Sequence, residues 1–208
     1  RASVADTDCT SAADGTFTLV PVGMNSETDI DTQISAVENF ITQKVDVICV
    51  APADSVGLVA PVSKAIKAGI TVVNFDVKLD DKALAKAGLA DLVFVGPDNQ
   101  EGAYLAGMEL ARKLGKGGKV FIIEGNPGAD NAKMRKAGFD KAAKEGGLKV
   151  LVSRTAHWET EEANTLVTNL LTQHPDVQGI MAANDSMALG VVKALDAAGK
   201  SGKVQVVG

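Results

Sequence analysis

The sequence predicts an α/β fold made of two doubly wound, parallel-sheet lobes, incomplete at both ends. Three observations predict it. Short runs rich in Val and Ile alternate with longer segments whose apolar residues recur at helical spacing. Several of those runs are apolar on both alternating faces, as strands are when helices cover a parallel sheet on both sides. A strand ending in Asp-Ser, then a helix, a glycine and another strand, occurs twice: VDVICVAPADS (45–55) with Gly69 and ITVVNFD, and VQGIMAANDS (177–186) with Gly199 and KVQVVG.

Taken in order, residues 1–15 (RASVADTDCTSAADG) read as a poor helix with no strand before it, and TFTLVPV (16–22) as the first strand. Ile30, Ile34, Val37 and Ile41 mark one helical face. The strand KVDVICV (44–50) leads to a helix over 56–67, with Gly69 placed to terminate it. ITVVNF (70–75) and DLVFVG (91–96) follow as strands, and Gly96-Pro97 breaks the second of them. That break divides the chain into lobes of residues 1–97 and 98–208. The next helix carries Tyr104, Leu105, Met108, Leu110 and Leu114. Strand KVFIIEG (119–125), a helix over 129–145 ending at Gly146, and strand KVLVSR (149–154) continue the alternation. A helix over 160–173, strand GIMAAN (179–184), a helix over 186–198 closed by Gly199, and strand KVQVVG (203–208) complete it. A first lobe without a leading strand and a chain that stops on a strand would each leave a sheet edge open, so the sequence reads as a fragment of a longer chain.

The 208 residues hold 21 Lys and Arg against 26 Asp and Glu, a formal charge of −5, with a sequence pI of about 5.1. That balance argues against a nucleic-acid partner, which selects a basic face. Two Cys and two His lie too far apart in sequence for a metal site. Cys9 and Cys49 leave two alternatives, a bridge between them or Cys49 as an inert packing residue inside its strand. No apolar run approaches the ~18 residues of a membrane span. No basic-then-apolar leader opens the chain, which is therefore cytosolic or already processed. Gly199-Lys200-Ser201 lacks the glycine of a phosphate loop at position 194, where Ala194 stands, and follows a helix instead of preceding one. His157 has no nucleophile at recognisable spacing and reads as a surface side chain. Asn184-Asp185-Ser186 matches a glycosylation sequon, but at a strand-to-helix junction it reads more simply as an N-cap. Nothing points to an enzyme or a cofactor.

The positive evidence is positional. In open α/β sheets ligands bind beyond the carboxyl ends of the strands. There the sequence places Asp76, Asn126, Trp158 and Asn184, with Arg135 on the helix after Asn126. A carboxylate, amides, a guanidinium and an indole suit a hydroxyl-rich ligand: Asp accepts, Arg donates through a fork, Asn does both, and Trp offers a flat apolar face. Each also has a plainer reading: Asp76 as a turn residue, Asn184 as a cap, Arg135 as a solvated helix charge. Trp158, in the polar string SRTAHWETEE, is expected to be half exposed.

The chain resembles the periplasmic sugar-binding proteins of the ribose-binding type, the solute receptors of bacterial ABC importers, from about residue 16 to 208. The resemblance rests on PADS (52–55), ITVVNFD (70–76), VGPDNQEGAYLAG (95–107), MRKAGF (134–139), NLLTQHPDVQGIMAANDSMALG (169–190) and AAGKSGKVQVVG (197–208). It implies two lobes on a hinge that close on a sugar or polyol, with no catalysis and no cofactor. By position, Asp76 resembles the family's hydroxyl-binding aspartate, Arg135 its sugar-binding arginine, Trp158 its stacking aromatic and Asn184 the asparagine completing the polar ring. Asn131, one turn before Arg135, matches a position that contacts sugar in some relatives. Val77 stands where ribose receptors carry arginine, a departure that argues against ribose itself. The resemblance further implies a monomer in the periplasm (or lipid-anchored outside a Gram-positive cell) that delivers to a membrane permease. The alternative is the effector domain of a LacI-type repressor, which shares the fold but needs a helix-turn-helix that residues 1–15 do not spell.

Overall fold

The computed structural model describes residues 18–208. Two separate parallel sheets form. Strands β1 (Val47–Val50), β2 (Thr71–Phe75) and β3 (Phe94–Val95) make the first, in the order β1-β2-β3. Strands β4 (Lys119–Glu124), β5 (Lys149–Thr155), β6 (Gly179–Ala182) and β7 (Gln205–Val207) make the second, in the order β5-β4-β6-β7. All ladders are parallel.

Helices α1 (Ile30–Gln43), α2 (Val59–Lys67) and α3 (Asp81–Ala87) accompany the first sheet. Val37, Leu58, Val62, Ala65 and Leu84 pack with Ile48, Val50 and Val72 into one core. Helices α4 (Asn99–Leu114), α5 (Asp130–Gly146), α6 (Thr160–Gln173) and α7 (Asp185–Ala197) accompany the second. There Leu110, Phe139, Val167, Leu170 and Met187 close over Val120, Ile122 and Ile180. Every residue of β6 is buried, as a strand with helices above and below must be.

The first sheet departs from expectation. β1 alternates exposed and buried positions, so Cys49 points outward with Val47 and is not a core packing residue. Phe75 and Val95 are exposed beside it. Apolar residues on both faces predict two-sided cover, whereas among the described residues the helices bury only the Ile48–Val50–Val72 face. Residues 18–22 form no strand; Leu19, Val20 and Val22 are exposed. Their alternation fits a strand, but a strand exists only where a neighbour supplies the ladder. Residues 1–15, Cys9 and its pairing with Cys49 lie outside the described residues. The fourth helix boundary shifts by one: Gly147, at φ 68, is the cap of α5 and Gly146 its last residue. α3 was not foreseen.

The loops after β1 and β4 join the two halves. Asn126 Nδ2 donates to Ala53 O at 3.0 Å. Ser55 N donates to Gly128 O at 3.0 Å. Ser55 Oγ donates to Lys78 O at 2.7 Å and accepts from Asp130 N at 2.9 Å. Ala129, the residue before α5, gives that helix no side-chain cap, so Ser55 satisfies a first-turn N–H from across the chain. Because Ser55 is buried, Ser55→Ala leaves a carbonyl and an N–H unpaired. It should lower stability by about 1–2 kcal/mol, read as a lower urea midpoint at unchanged slope.

Candidate functional site

In the second sheet the order reverses at β4 and β6: α5 leads from β4 outward to β5, and α6 returns the chain to β6 on the other side. The crevice beyond the carboxyl ends of β4 and β6 is where such a sheet takes ligands. Gly125 and Asn126 follow β4 there, Ala183 and Asn184 follow β6, and the first turns of α5 stand above.

Arg135, in the second turn of α5, is the centre of the arrangement. Its Nε donates to Asn99 Oδ1 at 2.9 Å and its Nη1 to Ala183 O at 2.6 Å. Its guanidinium lies over the Trp158 ring, 5.6 Å from the centroid. Burial lowers the pKa of Arg135 from its ordinary value, while Asp76 and Asp185 hold it up. Two aspartates, one from each half of the chain, thus act through their charge on one partly buried cation.

Asp76 follows β2 at φ 58, a left-handed turn that carries its exposed side chain past the strand end, while its N–H donates to Val95 O at 3.0 Å. Asn74 secures the loop from beneath: Nδ2 donates to Val77 O at 2.7 Å and Oδ1 accepts from Leu79 N at 2.8 Å. Asn184 is the N-cap of α7, Oδ1 accepting from Met187 N at 2.9 Å, and its Nδ2 reaches Trp158 O at 3.4 Å. The cap reading of Asn184 therefore holds, and the same residue lines the crevice. His157, beside Trp158, pairs through Nδ1 with Glu162 at 2.8 Å on the surface.

Trp158 is not half exposed: it is 7% exposed and packs in the second core. Consecutive left-handed residues, His157 and Trp158, turn the chain back on itself. The outer edge of the indole then lies against Gly125, where a Cβ would overlap Cη2, Cζ2 and Cζ3. A polar sequence neighbourhood does not report this, because the reversal is a backbone event.

The predicted residues do not open on one cavity. Arg135 and Asn184 line a cleft of about 410 Å³ with Asp98, Asn99 and Asp185. Asn131 lines a neighbouring cleft of about 340 Å³ with Lys78 and Asp130. Pro97, Asp98 and Asn99 border both. Asp76 and Trp158 line neither; Trp158 reaches the site through its contact with Arg135, and Asp76 acts on Arg135 through its charge. Asn131 Oδ1 is buried without a hydrogen-bond partner among the described residues, and burial raises the Asp130 pKa against the opposing pull of Lys133 and Lys78. Sequence reasoning missed Asn99, Ser55 and Asn74. No group of His, Cys, Asp and Glu able to hold a metal ion occurs among the described residues, and no described helix is long and apolar enough to cross a membrane.

Residues 7–208 match the model of the family described as periplasmic binding protein domain. Over 192 residues the chain is 46% identical to the D-ribose/D-allose-binding protein of Pseudomonas aeruginosa, covering 92% of this chain and 60% of that protein. It is 40% identical over 185 residues to the D-allose-binding periplasmic protein of Escherichia coli, covering 88% and 60%. An ABC transporter periplasmic solute-binding protein of Actinobacillus succinogenes with bound D-allose superimposes with a TM-score of 0.83 at 45% identity, over 90% of this chain and 65% of that one. The chain spans about 60% of the length of the curated relatives it matches.

Proposed function

We propose, from the premise that this chain belongs to the periplasmic binding protein domain family, that it is part of the solute-binding receptor of a bacterial ABC sugar importer. The receptor binds a monosaccharide or polyol between lobes of residues 1–97 and 98–208, closes on it, and delivers it unchanged to a membrane permease. It works as a monomer in the periplasm, or outside a Gram-positive cell on a lipid anchor, without cofactor or nucleic acid. D-allose and D-ribose, named in the relatives, are the first sugars to test.

One observation carries the reading: Arg135, held by acceptors from α4 and from the end of β6, shares one cleft with Asp98, Asn184 and Asp185 at the sheet's switch point. A guanidinium flanked by carboxylates offers fixed donors beside acceptors, the pattern that vicinal hydroxyls match. Asp76, Asn131 and Asn184 supply the remaining polar contacts, and Trp158 backs the arginine. Asn131 Oδ1, without a partner among the described residues, supports the reading as an acceptor for a sugar hydroxyl. Ligand contacts made by both lobes favour the closed state over the open one, which is all that hinge closure requires.

Calorimetric titration of the full-length protein with D-allose, D-ribose, other pentoses and hexoses, and polyols tests the proposal. Absence of both heat and thermal shift across that panel overturns it. In the same assay Arg135→Leu should weaken sugar binding by roughly 2 kcal/mol, about thirtyfold in Kd, through loss of charge-assisted hydrogen bonds. The relatives named above are solute-binding proteins, and no feature of the site favours the repressor alternative.

A further inference from the structure

We propose that Asn99 is a positioning residue for sugar recognition, its carboxamide oxygen fixing Nε of Arg135 so that the rest of the guanidinium faces the cleft. The effect on binding rests on the receptor reading above; the effect on Arg135 does not.

Asn99 is the first residue of α4, immediately after the crossing between the two sheets, and is 6% exposed. The preceding residue already caps the helix, Asp98 Oδ1 accepting from Glu101 N at 2.9 Å. The Asn99 side chain is therefore not needed as a cap, and it points elsewhere. Arginine only donates, so the amide oxygen is the end that meets Nε, at 2.9 Å. The amide nitrogen turns back to Pro97 O at 3.4 Å, which ties the carboxamide to the segment between β3 and α4.

With Nη1 held by Ala183 O, the guanidinium is pinned at two of its corners by acceptors from two different elements. A planar fork held at two corners has a fixed plane, so its remaining donors keep one direction. Among the described residues Nη2 has no hydrogen-bond partner. Asn99 borders both clefts but presents its oxygen to the arginine. A neutral amide holds Nε without neutralising the cation. The charge therefore stays available to Asp76, Asp185 and ligand hydroxyls. Ordering a long, rotamer-rich side chain before the ligand arrives removes that entropy loss from the binding step.

The test uses full-length protein and three variants of Asn99. In the sugar-free protein, Trp158 emission is taken as the difference from the corresponding Trp158→Phe protein. Asn99→Leu should shift it, because Arg135 loses its seat over the indole. Asn99→Asp, which still accepts from Nε, should keep it. An unchanged spectrum in Asn99→Leu, or equal shifts in both variants, overturns the assignment. With D-allose as probe, Asn99→Leu should weaken binding about tenfold when Arg135 is present, as for one lost hydrogen bond. In the Arg135→Leu background it should weaken binding less than twofold. Equal losses in the two backgrounds also overturn it. Asn99→Ala serves the same comparisons should the leucine variant not fold. If the wild-type protein binds no sugar of the panel, the receptor reading fails, and the emission measurement still decides the role of Asn99.

Discussion

Replacing Gly138 by alanine is expected to destabilise the protein by about 2 kcal/mol, even though alanine is the better helix former. Gly138 lies inside α5, against the backbone of α4. A Cβ there would meet Tyr104 N at 2.8 Å and Ala103 Cβ at 2.9 Å, and would overlap Gln100 O outright. Two of those atoms are backbone, so no side chain can turn aside; one helix must move. Overpacking of this kind costs roughly 1–3 kcal/mol and occasionally more, whereas the propensity gain of alanine over glycine is about 1 kcal/mol, so the clash wins. The displaced helices carry Asn99 and Arg135, and their 2.9 Å bond is the first contact that separation would lengthen. Gly102 supplies the control within α4. A Cβ at that position meets nothing within 4 Å, so Gly102→Ala should stabilise by roughly 0.5–1 kcal/mol. Paired urea titrations measure both signs. A Gly138→Ala protein as stable as wild type would mean that the α4–α5 contact is looser than the structure has it.

The contrast between those glycines shows what a sequence carries and what it does not. Both stand in segments with helical spacing, and only packing between helices separates them. Elements with repeated apolar contacts were legible: residues 160–173 form a helix with the bounds that spacing predicts, because Ala163, Val167, Leu170 and Leu171 all turn inward. α3 was illegible because Leu84 is its sole buried residue, and a single anchor sets no period. Cys49 was misplaced because an apolar strand says nothing of how many of its faces find cover. Among the site residues, the strand-end positions of Asp76 and Asn184 follow from pattern alone. For Arg135 pattern gives only a place on the helix after Asn126: a helix charge is usually solvated, and the family resemblance was needed to favour a binding role. Asn99 left no mark, since the adjacent Asp98 accounts for the start of the helix.

Trp158→Ala is the other large change, and it should act on the fold as well as on the site. Buried aromatic residues cut back to alanine cost roughly 3–5 kcal/mol, and Trp158 sits in the core with its outer ring edge against Gly125. Its own backbone works the other way. His157 and Trp158 both hold positive φ, at 48° and 71°, a conformation worth roughly 1–2 kcal/mol of strain per non-glycine residue. Local bonds hold the turn: Thr155 Oγ1 donates to Gly125 O at 2.7 Å and accepts from His157 N at 3.1 Å. The strain persists because burying the indole outweighs it, and alanine keeps the strain while losing the burial. Trp158→Phe retains an aromatic surface and should lose less than half as much. Sugar binding by the folded fraction of Trp158→Ala should weaken too, since Arg135 loses the ring beneath it. Stability decides between this account and a ring reserved for stacking on ligand. A half-exposed stacking ring would give weaker binding at an unchanged urea midpoint, whereas the buried ring gives a large fall in the midpoint before any sugar is added.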